Sequence, residues 1–155
     1  MNAAAVARWR ALASSALAER LLAVALAGLS GAVLGVARWL EPSPLGHSTH
    51  LQLGLRPCTV LSWTGWPCPM CGATTTFALS AEGRLWEALG NQPFALLLFV
   101  LTVGTFAVAA AEAVFPRRRL SRFVAWVEPW EVAGAVGFLV AMGVGWAGKA
   151  WQLHG

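Results

Sequence analysis

The sequence predicts an all-α integral membrane protein with three transmembrane helices and a cysteine-bearing loop between the first two. Three observations carry this. The 155 residues are 57% hydrophobic and only 12% charged, against about 25% charged in ordinary soluble domains. Mean hydropathy is +0.62, more apolar surface than a core of this size can hide. Finally, there are nine tryptophans and no tyrosine, and tryptophan favours the membrane interface. By length the chain is one domain, 1–155.

Residues 1–20 read as a cytoplasmic N-terminal segment. Arg8, Arg10 and Trp9 sit among alanines, either as a short surface helix or as a leader that carries positive charge. The first span is expected over 21–40. Its uncharged run, Leu21 to Ala37, is bounded by Arg20 and Arg38 and is long enough to cross about 30 Å of hydrocarbon with snorkelling ends. A cleaved signal peptide is the competing reading, but its apolar region would be shorter and a small-residue cleavage site would follow. Ala23, Ala27, Gly31 and Gly35 recur at four-residue steps, a stripe that lets another helix approach closely.

Glu41-Pro42-Ser43-Pro44 ends that helix. The stretch 41–91 is the one sizeable polar part, and it holds all three cysteines. Helical patterning runs from Thr74 to Leu89, with Gly83 expected to break it in two. The second span is expected over 92–114, with Pro93 suited to its first turn. A basic cytoplasmic loop follows over 115–130, carrying Arg117, Arg118, Arg119 and Arg122. The third span is expected over 131–151, its apolar run Val132 to Gly148 bounded by Trp130 at one end and by Lys149 and Trp151 at the other, with a second small-residue stripe at Ala133, Gly137, Ala141 and Gly145. Both stripes serve either oligomerisation or packing within one chain. No apolar run carries an internal ionisable residue, so no proton or ion path is expected.

Arginine placement predicts orientation. The 117–122 cluster belongs in the cytoplasm, which puts the N-terminus inside and the cysteine loop outside. The expected location is a bacterial inner membrane. The expected partners are the lipid bilayer and either another membrane protein or a second copy of the chain. The arginines flank apolar runs and form no continuous basic patch, so nucleic acid is set aside.

The candidate site is Cys58 with Cys68-Pro69-Met70-Cys71-Gly72. A C-P-x-C-G turn points two thiolates at one metal in ribbon-type sites. Zinc or iron would find a third ligand in Cys58 and a fourth in His50, with His47 the weaker candidate because zinc in structural sites takes four protein ligands. In an oxidising compartment the same residues read instead as a disulfide, Cys58 with Cys68 or Cys71, leaving one cysteine odd. A third reading is thiol–disulfide exchange, with a helix start near the C-x-x-C favouring a thiolate. Against it stand the lack of strands and a C-P-M-C order unlike the thioredoxin type. Gly72 and Thr74 are expected to form the loop end and the cap of the helix that follows. No Ser/His/Asp grouping, paired carboxylates or phosphate loop is visible. The function expected is therefore a non-enzymatic accessory or scaffold protein, with oxidoreductase and metal-handling or cofactor-insertion factor as alternatives.

The stretch Thr64-Gly65-Trp66-Pro67-Cys68-Pro69-Met70-Cys71-Gly72-Ala73-Thr74 resembles the T-G-x-x-C-P-x-C-G-x-T signature of small bacterial membrane proteins grouped as domain of unknown function 2752. The resemblance covers residues 47 to 105. It implies an upstream cysteine, matched by Cys58, and a G-x-x-x-x-A-x-x-x-N element, matched by Gly83, Ala88 and, one residue short, Asn91. Two positions depart from the pattern: Thr75 replaces an arginine and Thr59 replaces a proline. If that arginine binds an anion, the role is lost here. The resemblance implies a membrane protein and no particular activity.

Overall fold

The structure, a computed structural model, describes residues 16–115 and 128–154. The expected N-terminal surface segment up to residue 15 and the arginines at 117–122 lie outside the described residues. Among the described residues every regular element is helical. The elements are α1 (Ala16–Trp39), a 3-10 turn (Thr49–Leu53), α2 (Thr59–Thr64), α3 (Ala73–Ala81), α4 (Leu85–Asn91), α5 (Pro93–Val114), a second 3-10 turn (Glu128–Trp130) and α6 (Glu131–His154).

Three segments are long and apolar enough to cross a membrane: Leu17–Trp39, Pro93–Val114 and Val132–His154. The expectation of an all-α, three-span membrane protein therefore holds. The spans start or end a few residues from their predicted limits. The first begins earlier, because Glu19 and Arg20 continue the helix. The third runs on to His154, past the charge at Lys149 that had seemed to close it.

The side-chain distribution is that of a protein solvated by lipid. Small residues point inward: Ala23, Ala37, Ala95, Ala109 and Ala150 are buried. Large apolar residues point outward, among them Leu21, Leu29, Val100, Leu101, Leu139 and Val144. In water this arrangement would be a large aggregation-prone patch. In a bilayer, lipid covers the leucines and small residues let backbones approach.

The chain divides into two compact units. The first comprises Met1–Ala32 and Thr102–Ala133. Within its described part, Ala23, Ser30, Ala109 and Glu112 are buried. Gly31 faces the ring of Phe106, and a Cβ there would lie 3.0 Å from it. The small-residue stripe of α1 is thus used inside the chain at Ala23 and Gly31, while a Cβ on Gly35 would meet nothing.

The second unit comprises Val33–Leu101 and Gly134–Gly155 and holds all three cysteines. Its core is formed by Leu40, Ala78, Leu79, Ala88 and Phe94. Edge-to-face ring pairs add to it, Phe94 with Phe138 at 4.9 Å and Phe77 with Phe99 at 5.5 Å. The predicted break at Gly83 is present. Gly83 has φ +82° and separates α3 from α4, which pack on one another. In the second stripe, Gly145 closes on Gln92 and Phe94 at 2.7 and 2.9 Å from a notional Cβ, whereas Gly137 is open.

Gly72 shows how tightly this unit is drawn together. Its φ is +88°, and a Cβ would lie 2.6 Å from the carbonyl oxygen of Gly46. Strain and collision act together, so Gly72→Ala is expected to destabilise the fold by at least about 1–3 kcal/mol. Gly54, with φ +73° but open space around it, is the control: Gly54→Ala bears only the backbone strain. Thermal unfolding in detergent should rank the two in that order, and equal losses would contradict the packing at Gly72.

Candidate functional site: a cysteine cavity held by the membrane helices

A cavity of about 200 Å³ gathers the predicted site residues. Its walls include His47, His50, Cys58, Cys68, Met70 and Cys71. Sequence reasoning grouped these cysteines by proximity along the chain, and the structure brings all three to one cavity. All three thiols are free.

Local structure explains how each sulfur is aimed. Cys58 precedes α2 as its N-cap, and the amide of Ser62 donates to its carbonyl at 2.9 Å. Its sulfur makes no capping hydrogen bond of ordinary geometry. The segment Cys68–Cys71 is a tight turn in which the Cys71 amide donates to the Cys68 carbonyl at 2.9 Å. The Ala73 amide then donates to the Met70 carbonyl at 3.0 Å, starting α3. The thiols of Cys58 and Cys68 line the same cavity and act on each other electrostatically.

The three thiols are not equivalent. Burial pushes Cys58 up, but the amides of Leu61, Cys68 and Val60 and the Cys68 thiol outweigh it, leaving Cys58 below the ordinary thiol range. Burial raises Cys68, and donation of its S–H to Cys58 raises it further, against the pull of the Met70 amide. Burial, then the neighbouring Cys68 and Cys58, push Cys71 up to about 11, against the pull of Lys149. Because the thiolate is the nucleophile, Cys58 is the reactive sulfur and Cys71 the inert one.

The histidines are engaged with the loop. Nε2–H of His50 donates to the Arg56 carbonyl at 3.1 Å, which leaves Nδ1 as its lone-pair nitrogen. His47 Nδ1 and Ser48 Oγ are 2.6 Å apart. His47 is shifted below its ordinary value, first by burial, then by Lys149 and His50, so it is neutral at pH 7. Among the described residues, no three His, Cys, Asp or Glu side chains form a ready ligand set for a metal ion.

Thr74 is not a cap. Helix α3 begins at Ala73 after an N-cap at Gly72, with no side-chain capping bond. The left-handed glycine makes the turn instead, because the close approach of Gly46 leaves no room for a Cβ. Thr74 lines the cavity. The neighbouring threonines, poor helix formers by their β-branching, are buried and used for tertiary bonds. Thr75 Oγ1 meets Thr49 Oγ1 at 2.8 Å, and Thr76 Oγ1 accepts from Asn91 Nδ2 at 2.9 Å.

What sequence reasoning missed is the set of side chains that hold the cysteine turn by its carbonyls. Trp146 Nε1 donates to Pro67 O at 2.7 Å, and Gln92 Nε2 to Pro69 O at 3.1 Å. Asn91 Nδ2 donates to Gly72 O at 3.2 Å, and His154 Nε2 to Gly65 O at 3.0 Å. Lys149, only 3% exposed, gives Nζ to Asn91 Oδ1 at 2.7 Å and to Gly46 O at 3.0 Å. A buried lysine inside the third span contradicts the expectation of spans without internal charge. The available signal was Trp146, Lys149 and Gln152 at three-residue steps on one helix face.

Asn91 is the joint of this set, touching Gly72, Thr76 and Lys149. Asn91→Leu leaves a buried ammonium short of an acceptor and strips two further partners, a loss of about 3 kcal/mol or more. The expected readouts are a lower melting temperature in detergent and faster alkylation of Cys71. In the unaltered, reduced protein, alkylation with rising pH should reach Cys58 first and Cys71 last, the latter only as pH approaches 11. Mass-spectrometric mapping showing the reverse order would overturn this assignment of thiol reactivity.

No curated protein and no solved structure matches the chain. Residues 58–106, from Cys58 into α5, match the family described as protein of unknown function (DUF2752).

Proposed function

We propose that this is a non-enzymatic scaffold or accessory protein of a bacterial inner membrane, whose extracytoplasmic loop is fixed by a Cys58–Cys68 disulfide. The observation that carries the reading is the meeting of these two thiols in one cavity, where the interaction between them lowers Cys58 and raises Cys68. Orientation rests on the arginines at 8, 10, 20 and 117–122, which belong on the cytoplasmic side and place the loop where disulfides persist. The partner the loop is fixed for is another membrane protein or a second copy of the chain.

The chemistry balances with an oxidant of the disulfide class. The Cys58 thiolate attacks one sulfur of the donor disulfide, forming a mixed disulfide and releasing one donor thiolate. Cys68, having lost its proton, attacks the Cys58 sulfur and expels the second thiolate. The donor gains two electrons and the loop loses two protons. The same exchange run repeatedly would be the oxidoreductase alternative, and a model disulfide turned over catalytically would favour it.

A metal-fixed loop, zinc or iron on Cys58, Cys68, Cys71 and His50, is the second reading. The shared cavity and the lone-pair nitrogen of His50 favour it. Tetrahedral zinc would require the ligands to shift into place first.

The test is differential thiol labelling of Cys71→Ser in intact cells. With an impermeant maleimide, two thiols should label only after reduction and without cell lysis. Two thiols that label before reduction would rule out the disulfide, and labelling that needs lysis would rule out the orientation.

A further inference from the structure

We infer that, in its reduced form, this cavity is a site for a soft monovalent cation, Cu(I), held between the Cys58 and Cys68 sulfurs with the Met70 thioether beside them. The inference deepens the proposed function by resting on the same sulfur pair acting as a unit. It concerns the dithiol, not the disulfide.

The donor set is the first argument. Cys58, Cys68, Cys71 and Met70 all line the one cavity of about 200 Å³, and no carboxylate is among its lining residues. Thiolate and thioether sulfurs select Cu(I), whereas oxygen-rich sites take harder ions. Ligand number is the second argument. Structural zinc takes four ligands in a tetrahedron, and among the described residues not even three His, Cys, Asp or Glu stand ready as a set. Two sulfurs lining one small cavity meet the smaller need of Cu(I).

Met70 is the third argument. It is 44% exposed. It sits between the two cysteines of the turn and lines the cavity with them.

Charge is the fourth. Binding releases the two thiol protons and leaves a bis-thiolate Cu(I) centre of net charge −1. The nearby cation is Lys149, fixed beside Gly72 and acting on Cys71. His50 can add Nδ1 as a third donor, since its Nε2–H is committed to Arg56.

The experiment uses the full chain in detergent, reduced and anaerobic, titrated against the coloured Cu(I)–bicinchoninate complex, with a Zn(II) indicator run in parallel. One Cu(I) per chain should be withheld from the chelator. Met70→Leu should weaken this by at least about tenfold, the lower bound for losing even an outer partner of a metal site, and leave Zn(II) retention unchanged. Cys58→Ser should abolish it. Three results would overturn the inference: no Cu(I) withheld by the unaltered chain, Met70→Leu equal to it, or Zn(II) held in preference. The labelling assay on Cys71→Ser reads the disulfide separately, so Cu(I) binding without a disulfide sinks only the loop-clasp reading, and the converse sinks only this one.

Discussion

A buried ammonium organises the second unit. Lys149 lies within an apolar helix and is almost wholly removed from solvent. A cation so placed is costly unless every donor finds an acceptor. It finds Asn91 Oδ1 and Gly46 O, with Gln152 Oε1 at 3.4 Å. The carbonyl of Gly46 is the same atom that approaches Gly72 too closely for a Cβ. Asn91 in turn donates to Gly72 O and Thr76 Oγ1. One charge therefore dictates the position of the segment before the cysteines, the end of the cysteine turn and the helix after it.

The cysteine turn has a difficulty that this network answers. Its carbonyls at Gly65, Pro67 and Pro69 are not taken up by a helix ladder, and that of Gly72 accepts the Thr76 amide at 2.9 Å as the first bond of α3. Each receives a donor from a side chain near or within a long apolar helix. Pro67 is fully buried, so its carbonyl without Trp146 would be an unmade bond in apolar surroundings, worth about 1–3 kcal/mol. The Trp66 ring adds a stacking contact to His154, with centroids 4.5 Å apart. The turn is held rigidly by its backbone, and its sulfurs are left to the cavity. Loops fixed in this way suit binding more than repeated rearrangement, because geometry is set before a ligand arrives.

What was legible in the sequence follows from what is local. Apolar runs, their proline boundaries, the break at Gly83 and the cysteine grouping are properties of short stretches, and each survives in the structure. The contacts between Trp146 and Pro67 and between Lys149 and Gly46 join residues 79 and 103 positions apart, and no periodicity reports such pairs. Lys149 looked like the end of a span because lysines often sit there and snorkel. Helix α6 instead continues to His154, and the side chain turns toward the loop. Thr74 looked like a cap because threonine often is one. The close approach of Gly46, invisible from sequence, gave that place to glycine. Asn91, named only through the family resemblance, proved to be the most connected side chain of the loop.

Gln92 carries the argument one step further. It is fully buried, its amide nitrogen serves Pro69, and its Oε1 has no hydrogen-bond partner. That oxygen faces Gly145, where a Cβ would lie 2.7 Å away. Only a glycine lets the helix backbone come this near, and the Cα–H···O contact it permits is weak. The fold therefore tolerates an under-satisfied acceptor to keep the amide nitrogen on Pro69, between the two cysteines. A core optimised for stability alone would place an apolar residue here. The polar residue is explained by the demand for a fixed turn, so the second small-residue stripe serves the cysteine site at Gly145. Its other glycine, Gly137, meets nothing within the chain.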